Sequence, residues 1–162
     1  MLKIGFIGLG IMGKPMSKNL LKAGYKLVVH DLNQSAVDEL AAAGAVKAST
    51  PREAANICEV IITMLPDSPQ VKEVVLGKNG LAEGLKTGSV FIDMSSISHI
   101  VSRELSKILE EKGVEMLDAP VSGGEPKAIE GTLSIMAGGK KDVFDRSYPI
   151  LKAMAASVVH TG

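Results

Sequence analysis

The chain has 162 residues, with 18 Lys plus Arg against 18 Asp plus Glu and 46% hydrophobic residues, which suits one ordinary globular domain and leaves no room for a second of full size. Zero formal net charge argues against nucleic acid or an anionic membrane surface as a partner, so an anionic ligand must be held by local features. One Cys excludes an intrachain disulfide and a cysteine-cluster metal site, and its place in an apolar stretch favours a buried, inert thiol in a reducing, cytoplasmic setting.

The N-terminal run to Gly8 is glycine-interrupted and too short for a signal sequence, and no apolar run approaches the length of a membrane span. Lys3 to Gly8 reads as the first strand, followed by Gly8-Leu9-Gly10-Ile11-Met12-Gly13. Met12, Met16 and Leu20 then recur at helical spacing with Lys14, Ser17, Lys18 and Lys22 opposite, and Gly24 stops the helix. The next strand runs from Lys26 to His30, and Ser35, three residues before Asp38, marks a helix start. Ala45 to Ala48 is a short strand. Thr50-Pro51-Arg52-Glu53 has the form of a capping box with Pro at the first helical position.

Val60 to Met64 is apolar on consecutive positions, as a strand covered on both faces requires. Ser68-Pro69 opens another helix, Ser89 to Asp93 is a strand, and Ile97, Val101, Leu105, Ile108 and Leu109 form a helical stripe that ends before Gly113. Strands at Glu115 to Ala119, Leu133 to Ala137 and Ser157 to His160 complete the series. This alternation predicts an α/β fold of the Rossmann type, a doubly wound, mainly parallel sheet between two helical layers.

The glycine run follows a strand and opens a helix, which is the context a dinucleotide fingerprint needs. Gly8 permits a tight turn, Gly10 lets the backbone approach a pyrophosphate, and Gly13 allows close packing of helix on strand. Free N–H groups at the helix start then face the phosphates. Asp31, 18 residues after Gly13 at the end of the second strand, suits an acid that accepts from both adenosine ribose hydroxyls. Its charge repels a 2′-phosphate, and the following Leu32 offers no offsetting cation, so NADH is expected in preference to NADPH. The alternative is a glycine-rich turn in an unrelated domain, with Asp31 capping the next helix. His30 and His160 read as packing or surface residues.

Ligands of open α/β sheets lie beyond the carboxyl ends of the strands. Those ends read Met64-Leu65-Pro66-Asp67, Asp93-Met94-Ser95-Ser96 and Asp118-Ala119-Pro120-Val121-Ser122-Gly123-Gly124. Ser122-Gly123-Gly124 can hold a small carboxylate through a hydroxyl and unobstructed N–H groups, or can equally be a turn. No His, Lys or carboxylate combines a strand-end position with a partner that would tune it for proton transfer. Lys127, the nearest basic candidate, reads as a solvated lysine at a helix start.

Taken together, Gly5-Phe6-Ile7-Gly8-Leu9-Gly10-Ile11-Met12-Gly13 and the three strand-end motifs resemble the β-hydroxyacid dehydrogenase family over nearly the whole chain. Within it, Gly123-Gly124-Glu125-Pro126-Lys127-Ala128-Ile129-Glu130-Gly131-Thr132-Leu133 most resembles the tartronate semialdehyde reductase branch rather than the 3-hydroxyisobutyrate dehydrogenases. The resemblance implies that Gly8, Leu9, Gly10, Ile11, Met12 and Gly13 cradle NAD and that Asp31 binds its ribose. It puts Leu65 and Pro66 on the adenosine side, Ser96 near the nicotinamide ribose, and Ser122, Gly123 and Gly124 on the substrate carboxylate, with no metal.

It also implies that residues 1–162 are the NAD-binding domain. The catalytic lysine and the helical substrate domain would lie beyond Gly162, and the complete protein would be a homo-oligomer. A 3-hydroxyisobutyrate or 6-phosphogluconate-type dehydrogenase domain and a non-catalytic dinucleotide-binding module are the other readings.

Overall fold

The computed structural model describes residues 2–162. Strand β1 (Lys3–Ile7) leads into α1 (Gly13–Lys22), then β2 (Lys26–His30), α2 (Gln34–Ala42), β3 (Val46–Lys47), α3 (Pro51–Ile57) and β4 (Val60–Thr63). Next come α4 (Ser68–Leu76), α5 (Leu81–Gly84), β5 (Val90–Asp93), α6 (His99–Glu110) and β6 (Glu115–Asp118). The chain closes with β7 (Val121–Ser122), α7 (Gly124–Glu130), β8 (Leu133–Ala137), α8 (Lys141–Lys152) and β9 (Ala155–His160).

Six strands pair in parallel in the order β3-β2-β1-β4-β5-β6. The order reverses between β1 and β4, where a doubly wound sheet opens a crevice beyond its carboxyl ends. Alternation along the strands sends Ile4, Phe6, Val29, Ile62, Ile92 and Leu117 into one core with α1, α2, α7 and α8. The intervening Ile7, Val28, Ile61 and Phe91 enter a second core with α3, α4 and α6. Central strands apolar on both faces thus become the middle of three layers, as the consecutive apolar positions predict.

Several local expectations are corrected. The last two predicted strands do not extend the main sheet: β8 and β9 join β7 in a separate three-stranded sheet, antiparallel at β7–β8 and parallel at β8–β9. A bridge between Asp118 and Gly138 links it to β6. The start of α2 is capped two residues before Ser35 by Asn33, whose side chain accepts from the N–H groups of Ser35 and Ala36. For α4 the cap is Asp67, so Ser68 falls inside the helix. Thr50 accepts from Glu53 N–H as expected, but the Glu53 carboxylate reaches Ser49 N–H rather than that of Thr50. Cys58 is buried, and burial foremost, with Glu59 nearby, pushes its thiol up to about 12, which keeps it inert.

Candidate functional site

The three glycines at the β1–α1 turn stand in three different surroundings. Gly8 has φ 103° and donates its N–H to the His30 carbonyl at 3.1 Å; a Cβ there would run into the Met64 carbonyl. A Cβ on Gly13 would strike the Gly8 carbonyl and come within 3.2 Å of the Phe6 ring. Around Gly10 there is nothing within 4 Å of the added carbon, so neither sterics nor dihedral angle asks for glycine at that position.

Met12 precedes α1 without a side-chain cap. Among the described residues no acceptor receives the N–H groups of Gly10, Ile11, Met12 or Gly13. A run of uncapped donors at the positive end of a helix favours an anion.

Asp31 closes the far side of this turn. Its Oδ2 accepts from Leu9 N–H at 2.6 Å and its Oδ1 from Asn33 N–H at 2.8 Å. The carboxylate therefore locks the end of β2 to the glycine loop and does not cap α2, a task left to Asn33. Each oxygen keeps a second lone pair for another donor. Leu32 beyond it is 93% exposed.

A cleft of about 300 Å³ is lined by Gly8, Gly10, Ile11, Met12, Gly13, Asp31, Met64, Leu65 and Pro66. Gly8, Asp31, Leu65 and Pro66 also border an adjoining, more apolar hollow of about 560 Å³ that reaches His30, Pro69 and Val74. The Leu9 side chain is buried in the core and only its backbone meets Asp31.

Ser96 is exposed after β5 and lines neither hollow. Its buried neighbour Ser95 instead accepts from Leu65 N–H at 2.8 Å. Ser122, Gly123 and Gly124 also lie outside both hollows. Ser122 is exposed on β7, opposite Ser134, while Gly123 (φ 131°) and Gly124 (φ 68°) make a left-handed turn into α7. Lys127 is exposed, its stem lying over Gly123. His30 is buried with Nδ1 3.0 Å from the Ala48 carbonyl, and His160 Nε2 is 2.7 Å from the Gly139 carbonyl; both are packing residues.

Sequence reasoning passed over one strand-end carboxylate with a raised pKa. Asp93, at the end of β5, is fully buried, and its Oδ1 accepts from Thr63 Oγ1 at 2.8 Å and Ser95 N–H at 3.1 Å. Burial outweighs these bonds and, with Asp118 adding to it, pushes the carboxyl up to about 6. The sequence signal was Thr63 at the corresponding end of β4, one strand away in parallel register. Asp118, half-buried on β6, is also raised by burial. Among the described residues no cluster could hold a metal ion, and no helix is long and apolar enough to cross a membrane.

A family model described as the NAD binding domain of 6-phosphogluconate dehydrogenase matches residues 3–162. Over 99% of the chain there is 45% identity to 2-hydroxy-3-oxopropionate reductase of Escherichia coli, covering 55% of that protein. Mouse mitochondrial 3-hydroxyisobutyrate dehydrogenase is 45% identical over 98% of the chain and 48% of its own length. The chain belongs to the β-hydroxyacid dehydrogenase family as an NAD-binding domain. This domain spans about half the length of the curated relatives it matches. Its fold superposes on Mycobacterium tuberculosis 3-hydroxyisobutyrate dehydrogenase, solved with L-serine, with a TM-score of 0.93 and 38% identity, covering 100% of this chain and 55% of that one. The Rossmann-type architecture expected from the sequence is therefore the observed one.

Proposed function

We propose that this domain is the cofactor half of a cytoplasmic, homo-oligomeric enzyme that transfers hydride between NAD(H) and a small β-hydroxyacid or its semialdehyde, with tartronate semialdehyde reduced to glycerate as the preferred reaction. The observation that carries the reading is the cleft at the sheet's switch point, where uncapped N–H groups face the Asp31 carboxylate across a glycine without neighbours. In it Gly8 to Gly13 take the pyrophosphate and Asp31 the adenosine ribose, with NADH preferred because the carboxylate repels a 2′-phosphate. Leu65 and Pro66 wall the adenosine side. Ser96 supports the nicotinamide ribose from the neighbouring strand end.

When bound, the nicotinamide supplies and accepts hydride. The domain's own residues bind, orient and exclude water. Ser122, Gly123 and Gly124 anchor the substrate carboxylate, a role supported by their exposure and by the absence, among the described residues, of any acceptor for the two glycine N–H groups. The proton comes from a lysine on a helix after His160, within a helical substrate domain. Residues 1–162 alone are then expected to bind cofactor yet show almost no turnover, since half of the cleft is missing.

The test is kcat/KM of the full-length protein for tartronate semialdehyde, for 3-hydroxyisobutyrate and its semialdehyde, and for 6-phosphogluconate. Tartronate semialdehyde should lead by tenfold or more, about 1.4 kcal/mol in transition-state binding. A lead by another substrate overturns the branch. Turnover by residues 1–162 at the full-length rate overturns the division of labour and makes Lys127 the first suspect.

A further inference from the structure

We propose that Asp93 is a positioning residue for the dinucleotide cleft, acting through Ser95 to hold the Leu65–Pro66 wall in place. The inference rests on the reading of that cleft as the cofactor site. The ends of β4 and β5 are joined by one chain of three hydrogen bonds. Thr63 Oγ1 donates to Asp93 Oδ1 at 2.8 Å, Ser95 N–H donates to the same oxygen at 3.1 Å, and Leu65 N–H donates to Ser95 Oγ at 2.8 Å. Leu65 and Pro66 border both hollows of the site. Asp93 touches neither, being fully buried, so it can act on a ligand only through these partners.

A purely structural role explains this carboxylate poorly. Its Oδ2 is buried without a partner among the described residues, and a lone acceptor of that kind costs stability. The facing groups add no compensation: Asp118 stands opposite it in register on β6, Thr63 is neutral, and His99 of α6 acts on Asp118. What the acid gives that a neutral residue does not is an acceptor that can carry charge for two donors, and an ionised acceptor strengthens both bonds. Ionised, Asp93 fixes Ser95 most firmly. Protonated, it holds it less well, and the Leu65 amide loses rigidity at second hand.

The test compares wild type with Ser95→Ala and Asp93→Asn, reading NAD+ affinity by calorimetry at pH 5 and pH 7.5 and exchange of the Leu65 amide without ligand. Ser95→Ala should weaken NAD+ by about three- to tenfold at both pH values and speed Leu65 exchange similarly. Wild type should bind NAD+ more weakly at pH 5 than at pH 7.5. Asp93→Asn, which keeps an acceptor but cannot ionise, should show a smaller difference between the two, and this separates Asp93 from the groups that line the hollows. Faster Leu65 exchange with unchanged NAD+ affinity would overturn the positioning role alone, as would an Asp93→Asn protein that retains the wild-type pH dependence. A wild-type chain that binds no NAD+ would instead overturn the cofactor reading.

Discussion

Gly13 and Gly124 each open a helix beside a strand end of the same face, yet an added Cβ meets very different surroundings at the two. At Gly13 it strikes the Gly8 carbonyl, whereas at Gly124 the nearest atom is Pro126 Cδ at 3.8 Å. The β1–α1 turn is over-determined by its own backbone, and Asp31 locks it from outside through Leu9. The Ser122–Gly124 turn is exposed and needs glycine for its positive φ values, with the flexible Lys127 stem the main obstacle to a side chain at Gly123. A cofactor common to many substrates can be held by a rigid cradle. An exposed loop apart from the core can vary with less cost to the fold.

The largest effect should come from Gly13→Ala, which places a carbon on the Gly8 carbonyl and should destabilise the domain by about 3 kcal/mol or more in urea unfolding. Gly10→Ala sharpens the contrast within the same loop. Stability should stay within about 0.5 kcal/mol, while calorimetric affinity for NADH falls at least about tenfold because the new methyl occupies space the pyrophosphate needs. A Gly10→Ala protein that binds NADH normally would remove the functional half of the comparison.

In the other turn, Gly123→Val in the full-length protein should raise the substrate KM by about tenfold or more, with NADH affinity held within about a factor of three. Here φ of 131° and the Lys127 stem oppose a side chain, so circular dichroism must accompany the kinetics. An unchanged KM in a folded protein would reduce Ser122–Gly124 to a turn.

The smallest effect concerns pH. Asp93 is raised to about 6 in the folded state, so between about pH 4 and 6 the native chain binds a proton that the unfolded chain has released. Its contribution to stability is therefore greatest at low pH and is lost as pH rises through 6. Unfolding free energies of wild type and Asp93→Asn across this window should differ in slope, wild type falling more steeply with pH. Parallel curves would remove the perturbed carboxyl from the account.

The glycine cradle was legible in sequence because each of its requirements is local: a turn, a close approach and a helix start within six residues. The place of Asp31 beside that loop was legible as well, through its fixed distance from Gly13. The sheet split was not, because Leu133 to Ala137 and Ala155 to His160 carry the same apolar signal whether they extend a sheet or begin another. Pairing partners are set by tertiary packing rather than by periodicity. The Asp93 chain was hidden for a related reason. Its members are thirty residues apart, and only the parallel register of β4 and β5 brings Thr63 opposite Asp93. The α2 cap was misplaced by two residues because Ser35 and Asn33 both suit the role.

The central claim is that the switch-point cleft binds NAD(H) with Asp31 reading the ribose. Calorimetric titration of residues 1–162 with NADH and NADPH tests it directly, using wild type and Asp31→Ala. The account predicts NADH tighter by about tenfold or more in wild type, with the gap narrowing in Asp31→Ala, since one repelled or lost charge-assisted contact is worth about 1.5–3 kcal/mol. Equal or tighter binding of NADPH by the wild-type chain would contradict it.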